Sequence, residues 1–231
     1  MIEALLSDLA LANRILVNEG VLDGFGHISV RHPEQPDRFF IARSMAPALV
    51  TVQDIVTCNL AGEVIAPAGA GSYVERFIHS EIYAARPDVQ SVIHSHSPAL
   101  IPFGVTGARL RPICHMSGFL GASTPVYEIR LHAGENTDLL IRNQALGRSL
   151  AETLGTSNVA LMRGHGSVTV GHSIQQSVFR AIYTESNARL QLQAAPLGDI
   201  TFLTEAEARA TSDMNDQHLS RPWEMWKRKV S

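Results

Sequence analysis

Two histidines, two residues apart, close a short apolar stretch, Ser91-Val92-Ile93-His94-Ser95-His96-Ser97-Pro98. Side chains at i and i+2 of a strand leave from the same face, so two imidazoles so spaced can point into one pocket. Upstream lies Glu75, with His79 one helical turn beyond it. Downstream, Arg163-Gly164-His165-Gly166 sets a histidine between glycines after a second apolar run. Histidines and a carboxylate drawn from separate elements are what a catalytic divalent metal needs: three or four protein ligands and an open position. A lone His-x-His would be read as ordinary histidines, some capping and some exposed. His165 in its glycine-flanked turn, together with Glu75, moves the reading to a metal centre.

Further candidates flank this set. Glycines at 24 and 26 lead into a strand on which His27, Ser29 and Arg31 share one face. That face reads equally as an anion contact or as a solvated strand surface. A second strand, 38–42, delivers Arg43 and Ser44 at its end, a further candidate anion contact. His115, in Arg111-Pro112-Ile113-Cys114-His115-Met116, is placed to donate a proton or touch substrate, or to serve the structure alone.

The elements that must position these groups follow from periodicity and punctuation. Residues 3–20 read as an amphipathic helix ended by Gly20. A helical turn capped by Thr51 precedes strands at 55–60 and 63–66. A helix over 74–85, closed by Arg86-Pro87, carries Glu75 and His79 on one face. The pattern predicts further helices from Pro98 to Phe103, over 138–154 with Thr137 as N-cap, over 173–192 and over 205–219. Strands at 158–162 and 167–170 flank the His165 turn. Trp223 and Trp226 read as packing anchors, with a neighbouring subunit as a candidate partner. The count is four to five helices and seven to nine strands in one domain over 1–231, with a helical extension from about residue 204. Strand hairpins within 27–66 predict a largely antiparallel or mixed sheet covered by helices.

Composition narrows the classes. At 231 residues the chain can build one good core or at most two small domains. A net charge of −3 gives no reason to expect a nucleic-acid partner. Cys58 and Cys114 form no CxxC and are expected as separate reduced thiols. No apolar run reaches the ~18–20 residues of a membrane span, and the N-terminus shows no signal-type pattern, so the expectation is a cytoplasmic protein.

Taken together, these motifs resemble the class II aldolase/adducin family. The resemblance covers most of residues 5–195 and rests on Gly26-His27-Ile28-Ser29-Val30-Arg31, the stretch from Leu49 to Val56, and Glu75 with His79. It rests equally on the run from Arg86-Pro87 to His94-Ser95-His96-Ser97-Pro98, and on Gly164-His165-Gly166. It implies an α/β/α three-layer sandwich with a central, mostly antiparallel sheet, and a homotetramer with sites near subunit boundaries. It also implies metal ligation by His94, His96 and His165, with Glu75 as the catalytic carboxylate. Mn or Zn is the first expectation for the metal, with Co or Fe also compatible with such donors.

Departures from the sugar-phosphate members bear on the substrate. Their Gly-Asn-x-Ser carries His27 here, their Ser-Gly pair gives way around Arg43-Ser44-Met45, and two serines before the glutamate become Tyr73 and Val74. A valine side chain cannot donate to a phosphate oxygen, whereas a guanidinium binds a carboxylate bidentately. These motifs look like the branch that decarboxylates hydroxylated aromatic or pyridine dicarboxylates. The expectation is therefore a metal-dependent, non-oxidative decarboxylase of a small aromatic carboxylate. Glu75, then His115, is the proton-handling group; His27, Ser29, Arg43 and Ser44 contact substrate. The alternatives are a metal-dependent aldolase and a non-catalytic adducin-like module.

Overall fold

The computed structural model describes residues 2–230. The chain opens with helix α1 (Ile2–Asn18), whose buried stripe of Leu9, Ala12, Ile15 and Leu16 faces the sheet. Gly20 ends it in the left-handed region, at φ 73°. Strands β1 (His27–Arg31), β2 (Arg38–Ala42), β3 (Ile55–Asn59) and β4 (Val64–Ala66) then form an antiparallel meander. Helix α2 (Arg76–Ala85) leads into β5 (Ser91–Ser95), the short α3 (Ile101–Val105), β6 (Val126–Tyr127) and α4 (Arg130–Ala133). Helix α5 (Gln144–Leu154) precedes the hairpin of β7 (Val159–Met162) and β8 (Gly166–Gly171). The long α6 (Ile174–Ala194), α7 (Glu205–Asp216) and α8 (Ser220–Val230) complete the described residues.

The eight strands form one sheet in the order β4-β3-β2-β1-β5-β8-β7-β6, antiparallel throughout except for the β6–β7 pair. Alternation along the strands sends side chains to two separate cores. One face packs on α1, α6 and α8 through residues such as Ile28, Ile93, Leu161 and Val178. The other packs on α2 and α5 through Phe39, Ile78, Ile82, Val92 and Leu150. The result is the three-layer α/β/α sandwich. No helix of the described residues is long and apolar enough to cross a membrane. Both cysteines are free thiols.

Three expectations change. Residues 137–143 are not helix: Thr137 Oγ1 accepts from the Leu139 amide and Asp138 Oδ1 from the Leu140 amide, while Leu139 sits at φ 69°. These local side-chain bonds compete with helix formation, and the true cap is Asn143, whose side chain accepts from the Leu146 amide. Trp223 and Trp226 do not wait for a neighbour: α8 lies against α1, and both indoles are buried in this chain's own core. The described residues also hold more helices than the four to five expected, because α4 is too short to show periodicity and the expectation ended its last helix before α8.

Candidate active site

The antiparallel pairing of β1 with β5 sets His27 directly opposite His94. Opposed residues on neighbouring strands project from the same face, so both rings point toward α2 and the loop before it. His96 follows just beyond the end of β5. His165 stands in the β7–β8 turn, which the sheet order brings beside β5. That turn needs its glycines: Gly164 adopts φ 66°, and a Cβ on Gly166 would lie 2.0 Å from the Ser95 carbonyl oxygen. Only without a side chain at 166 can β8 approach β5 closely enough to bring His165 to His94 and His96.

Glu75 occupies the N-cap position of α2, but its side chain makes no capping bond. Its Oε1 instead accepts from the Ile141 amide at 2.9 Å, which is what the irregular 137–143 segment delivers. Its Oε2 lies 3.5 Å from Nε2 of both His94 and His165. One ligand atom each from Glu75, His94, His96 and His165 falls within 4.8 Å of all the others.

This donor set fits a divalent metal. His94 Nδ1 lies 3.0 Å from the Ser167 carbonyl oxygen, which can only accept, so the proton is on Nδ1 and Nε2 carries a lone pair. That lone pair faces Nε2 of His96 at 3.1 Å, a convergence of basic nitrogens that a shared cation would relieve. Burial, reinforced by His94 and His165, pushes His96 down to about 4, so it stays neutral and able to ligate near pH 7. Burial opposes ionisation of Glu75, yet positive charge carried by His94 and His165 outweighs it and holds the carboxyl well below the usual carboxylate range.

A cavity of about 420 Å³ opens beside the cluster. Phe25, Met45, Tyr73, Val74 and Leu140 wall it, and His27, Ser44, Glu75 and His96 line its polar side. The Tyr73 ring packs 4.5 Å from that of His27, and its hydroxyl donates to the Met45 carbonyl. No lysine or arginine is among the described lining residues.

The remaining sequence candidates fall elsewhere. Arg43 does not line the cavity: its Nε donates to Asp54 Oδ1 at 2.6 Å and its side chain is 56% exposed. Ser29 is fully buried, and its hydroxyl is held between His79 and Tyr83. Arg31 is no anion contact either, since its guanidinium donates to the carbonyls of Val89, Pro36, Tyr83 and Arg86. Of the face bearing His27, Ser29 and Arg31, only His27 reaches the cavity, and Ser29 and Arg31 are buried. His115 is exposed and lines a different cavity, with Met116, Phe179 and His218. Sequence reasoning passed over Phe25, Leu140 and the Ile141 amide, for which no motif speaks. It saw His79 but not its bond to His27, and the shared face of Glu75 and His79 was the available signal.

Residues 7–192 match the family described as Class II Aldolase and Adducin N-terminal domain. Decarboxylase tropJ of Talaromyces stipitatus is 45% identical, over 94% of this chain and 90% of its own length. The 3,4-dihydroxyphthalate decarboxylase of Arthrobacter keyseri is 30% identical, over 82% of this chain and 78% of its own. Among solved structures, the L-fuculose 1-phosphate aldolase from Glaciozyma antarctica PI12 superposes with a TM-score of 0.79 at 27% identity, covering 98% of this chain and 88% of that one.

Proposed function

The chain belongs to the class II aldolase and adducin family, and from that premise we propose that it removes carbon dioxide, with the help of a divalent metal, from a hydroxylated aromatic carboxylate. It is a carboxy-lyase like the decarboxylases it resembles. The finer reading rests on one observation: a four-donor cluster opens into a cavity with apolar and aromatic walls and no lining cation. A flat ring suits such walls. A phosphate dianion would find no lysine or arginine there to pair with.

His94, His96 and His165, with Glu75 beside them, would hold the metal; Mn or Zn is the first choice. When bound, it supplies positive charge beside a substrate oxygen and so stabilises the electron pair left behind as carbon dioxide departs. Glu75 handles the proton. In its ionised form, with Oε1 fixed on the Ile141 amide, its other oxygen takes the proton of the ring hydroxyl. The C–C bond electrons stay on the ring carbon, which then takes that proton back from Glu75. Phe25, Tyr73 and Leu140 orient the ring and exclude water. His27 and Ser44 are the side chains that reach substrate oxygens. His115 lies in another cavity of the same chain, so it could serve this site only from a second copy, which the inferred homotetramer would supply.

A second reading, aldol cleavage of a hydroxy-keto compound, is favoured by the structural likeness to an L-fuculose 1-phosphate aldolase. Both reactions break a C–C bond beside a polarised oxygen. A non-catalytic adducin-like role has less support, because a scaffold has no need of converging ligand nitrogens. The test is to load the purified protein with Mn²⁺ or Zn²⁺ and screen aromatic ortho-hydroxycarboxylates against ketose 1-phosphates. Carbon dioxide release from an aromatic acid is expected. Cleavage of a ketose phosphate, with no carbon dioxide from any aromatic acid, would replace the decarboxylase reading with the aldolase one.

A further inference from the structure

Behind the cavity lies a chain of polar groups that the reaction scheme does not use. Tyr83 of α2 is buried, and its hydroxyl lies 2.8 Å from Ser29 Oγ. Ser29 Oγ lies 2.6 Å from Nδ1 of His79. Nε2 of His79 lies 2.6 Å from Nδ1 of His27. Ser29, His79 and Tyr83 are all essentially sealed from solvent, so no water outside the chain completes their bonding. His27 ends the chain at the cavity wall, and among the described residues nothing in the protein bonds its Nε2.

The direction of these bonds is fixed by counting donors. A buried hydroxyl must place its hydrogen on an acceptor. The Val92 amide can only donate to the Tyr83 oxygen, so among the described residues Ser29 Oγ is the acceptor left for the Tyr83 hydrogen. Ser29 then accepts from Tyr83 and has its own hydrogen left for His79 Nδ1. His79 Nδ1 is therefore the bare nitrogen, its proton sits on Nε2, and it donates to Nδ1 of His27. His27 Nδ1 is bare in turn, and its proton is on Nε2, facing the cavity. The reverse order would leave the Tyr83 hydrogen buried without an acceptor, which costs about 1–3 kcal/mol. A doubly protonated ring at either histidine would set N–H against N–H or against the serine hydrogen.

We propose that Tyr83, Ser29 and His79 are positioning residues that hold His27 as a neutral imidazole with its proton on Nε2, so that His27 recognises an anionic oxygen of the bound acid and is not the base of the reaction. This rests on the reading of the cavity as a site for an aromatic hydroxy acid. It adds a specificity rule: a ligand that offers only a donor opposite His27 is rejected, because two N–H or O–H groups would meet in a site walled from water. His27 also packs against the ring of His94, 5.2 Å between centroids. The oxygen it holds is therefore one adjacent to the cluster.

The experiment needs no turnover. Two-bond ¹H–¹⁵N correlation spectra of the Zn²⁺-loaded, ¹⁵N-labelled protein report which ring nitrogen of each histidine carries the proton. His27, assigned by the signal missing from His27→Gln, is expected as a single form protonated on Nε2, and so is His79. Tyr83→Phe deletes the first donor without changing shape, and Ser29→Ala cuts the chain in the middle. Each should let the other tautomer of His27 appear. Each should also weaken binding of salicylate, used as an unreactive probe and followed by calorimetry, by on the order of tenfold, the value of one hydrogen bond to a charged group. A merely structural role would lower stability without moving the tautomer. His27 protonated on Nδ1 in the wild type, or one unchanged tautomer and unchanged salicylate affinity in both variants, would overturn the proposal. Salicylate failing to bind a wild-type protein whose tautomer is as described would instead sink the aromatic-acid reading and leave the hydrogen-bond chain standing.

Discussion

Among the described residues, two of the cavities carry histidines among apolar side chains, and they differ in what a reactive centre needs. The first lies beside His94, His96 and His165. The second, of about 520 Å³, lies under the C-terminal helices and is lined by His115, Met116, Phe179, Tyr183 and His218. In the first, His94 Nδ1 meets a carbonyl and His27 and His79 hold one another, while His165 Nδ1 is buried without a partner among the described residues. In the second, His115 is exposed, and its Nδ1 faces only the sulfur of Met116 at 3.5 Å. His218 is exposed as well, its Nδ1 on the Met214 carbonyl in the adjacent turn. An imidazole becomes a ligand or a directed donor when its other nitrogen is fixed and its own ring cannot turn. Residue type alone did not separate the two places.

The sharpest way to break the comparison is to remove ligands from one side and histidines from the other. His94→Ala, His96→Ala and His165→Ala should each weaken metal binding by at least about a hundredfold and abolish activity. His218→Ala should leave the metal content at the wild-type level. Elemental mass spectrometry of the dialysed proteins checks both. A cluster variant that keeps its full metal complement would take that residue out of the ligand set. Next in size is Glu75→Gln, which keeps an acceptor for the Ile141 amide but cannot carry the proton. We expect kcat to fall by about 10²–10⁴-fold, measured as carbon dioxide release under saturating metal. A Glu75→Gln enzyme within tenfold of wild type would remove Glu75 from proton transfer.

Acid stability sharpens the comparison in the metal-free protein. Burial, with His94 adding repulsion, pushes His79 down to about 3, from 6.5 for a free imidazole. The unfolded chain therefore takes up a proton near pH 6.5 that the folded chain refuses until about pH 3. Between those values the unfolded state binds more protons, so stability falls as the pH falls. The loss attributable to His79 is roughly 2–4 kcal/mol by pH 4. Urea unfolding from pH 7 to pH 4 should show it, with a shallower slope in His79→Gln. Equal slopes in His79→Gln and wild type would mean that His79 already holds its proton at neutral pH.

How much of this could be read beforehand depended on how local the signal was. The i, i+2 spacing of His94 and His96 on an apolar strand, and glycines either side of His165, are short-range patterns. They led to residues that the fold does bring together with Glu75. The sheet was legible for the same reason, because turns and alternation are local. What was not legible depends on contacts between distant segments. Nothing local says that β1 opposes β5 so that His27 meets His94, or that Tyr83 closes on Ser29. The apolar run Leu139-Leu140-Ile141 looked helical, yet Thr137, Asp138 and Glu75 claim its backbone amides. Arg43 looked free because its partner Asp54 lies eleven residues on, across a turn.

Arg43 gives the smallest expected effect and the clearest contrast with His27. Both were candidates for gripping the substrate, and the fold separates them. His27 is buried, its ring held from behind. Arg43 spends its Nε on Asp54 at the protein surface, with most of its side chain in water. Hydrogen bonds from Thr51, then from Arg43, hold Asp54 down to about 2. The stabilisation that Asp54 contributes is thus present above its unfolded value near 3.8 and is lost as pH falls toward 2. Arg43 adds to this only through a solvent-screened pair, which is worth about 0–1 kcal/mol. The capping bonds from Thr51 persist without it. Arg43→Ala should therefore lower stability by less than about 1 kcal/mol and leave catalytic efficiency within about threefold of wild type. Arg43→Lys should be indistinguishable from wild type in activity. If Arg43→Ala instead lost catalytic efficiency by about 30-fold or more, with metal content intact, the guanidinium must leave Asp54 to meet the substrate. The carboxylate-binding role would then return to Arg43, at the expense of His27.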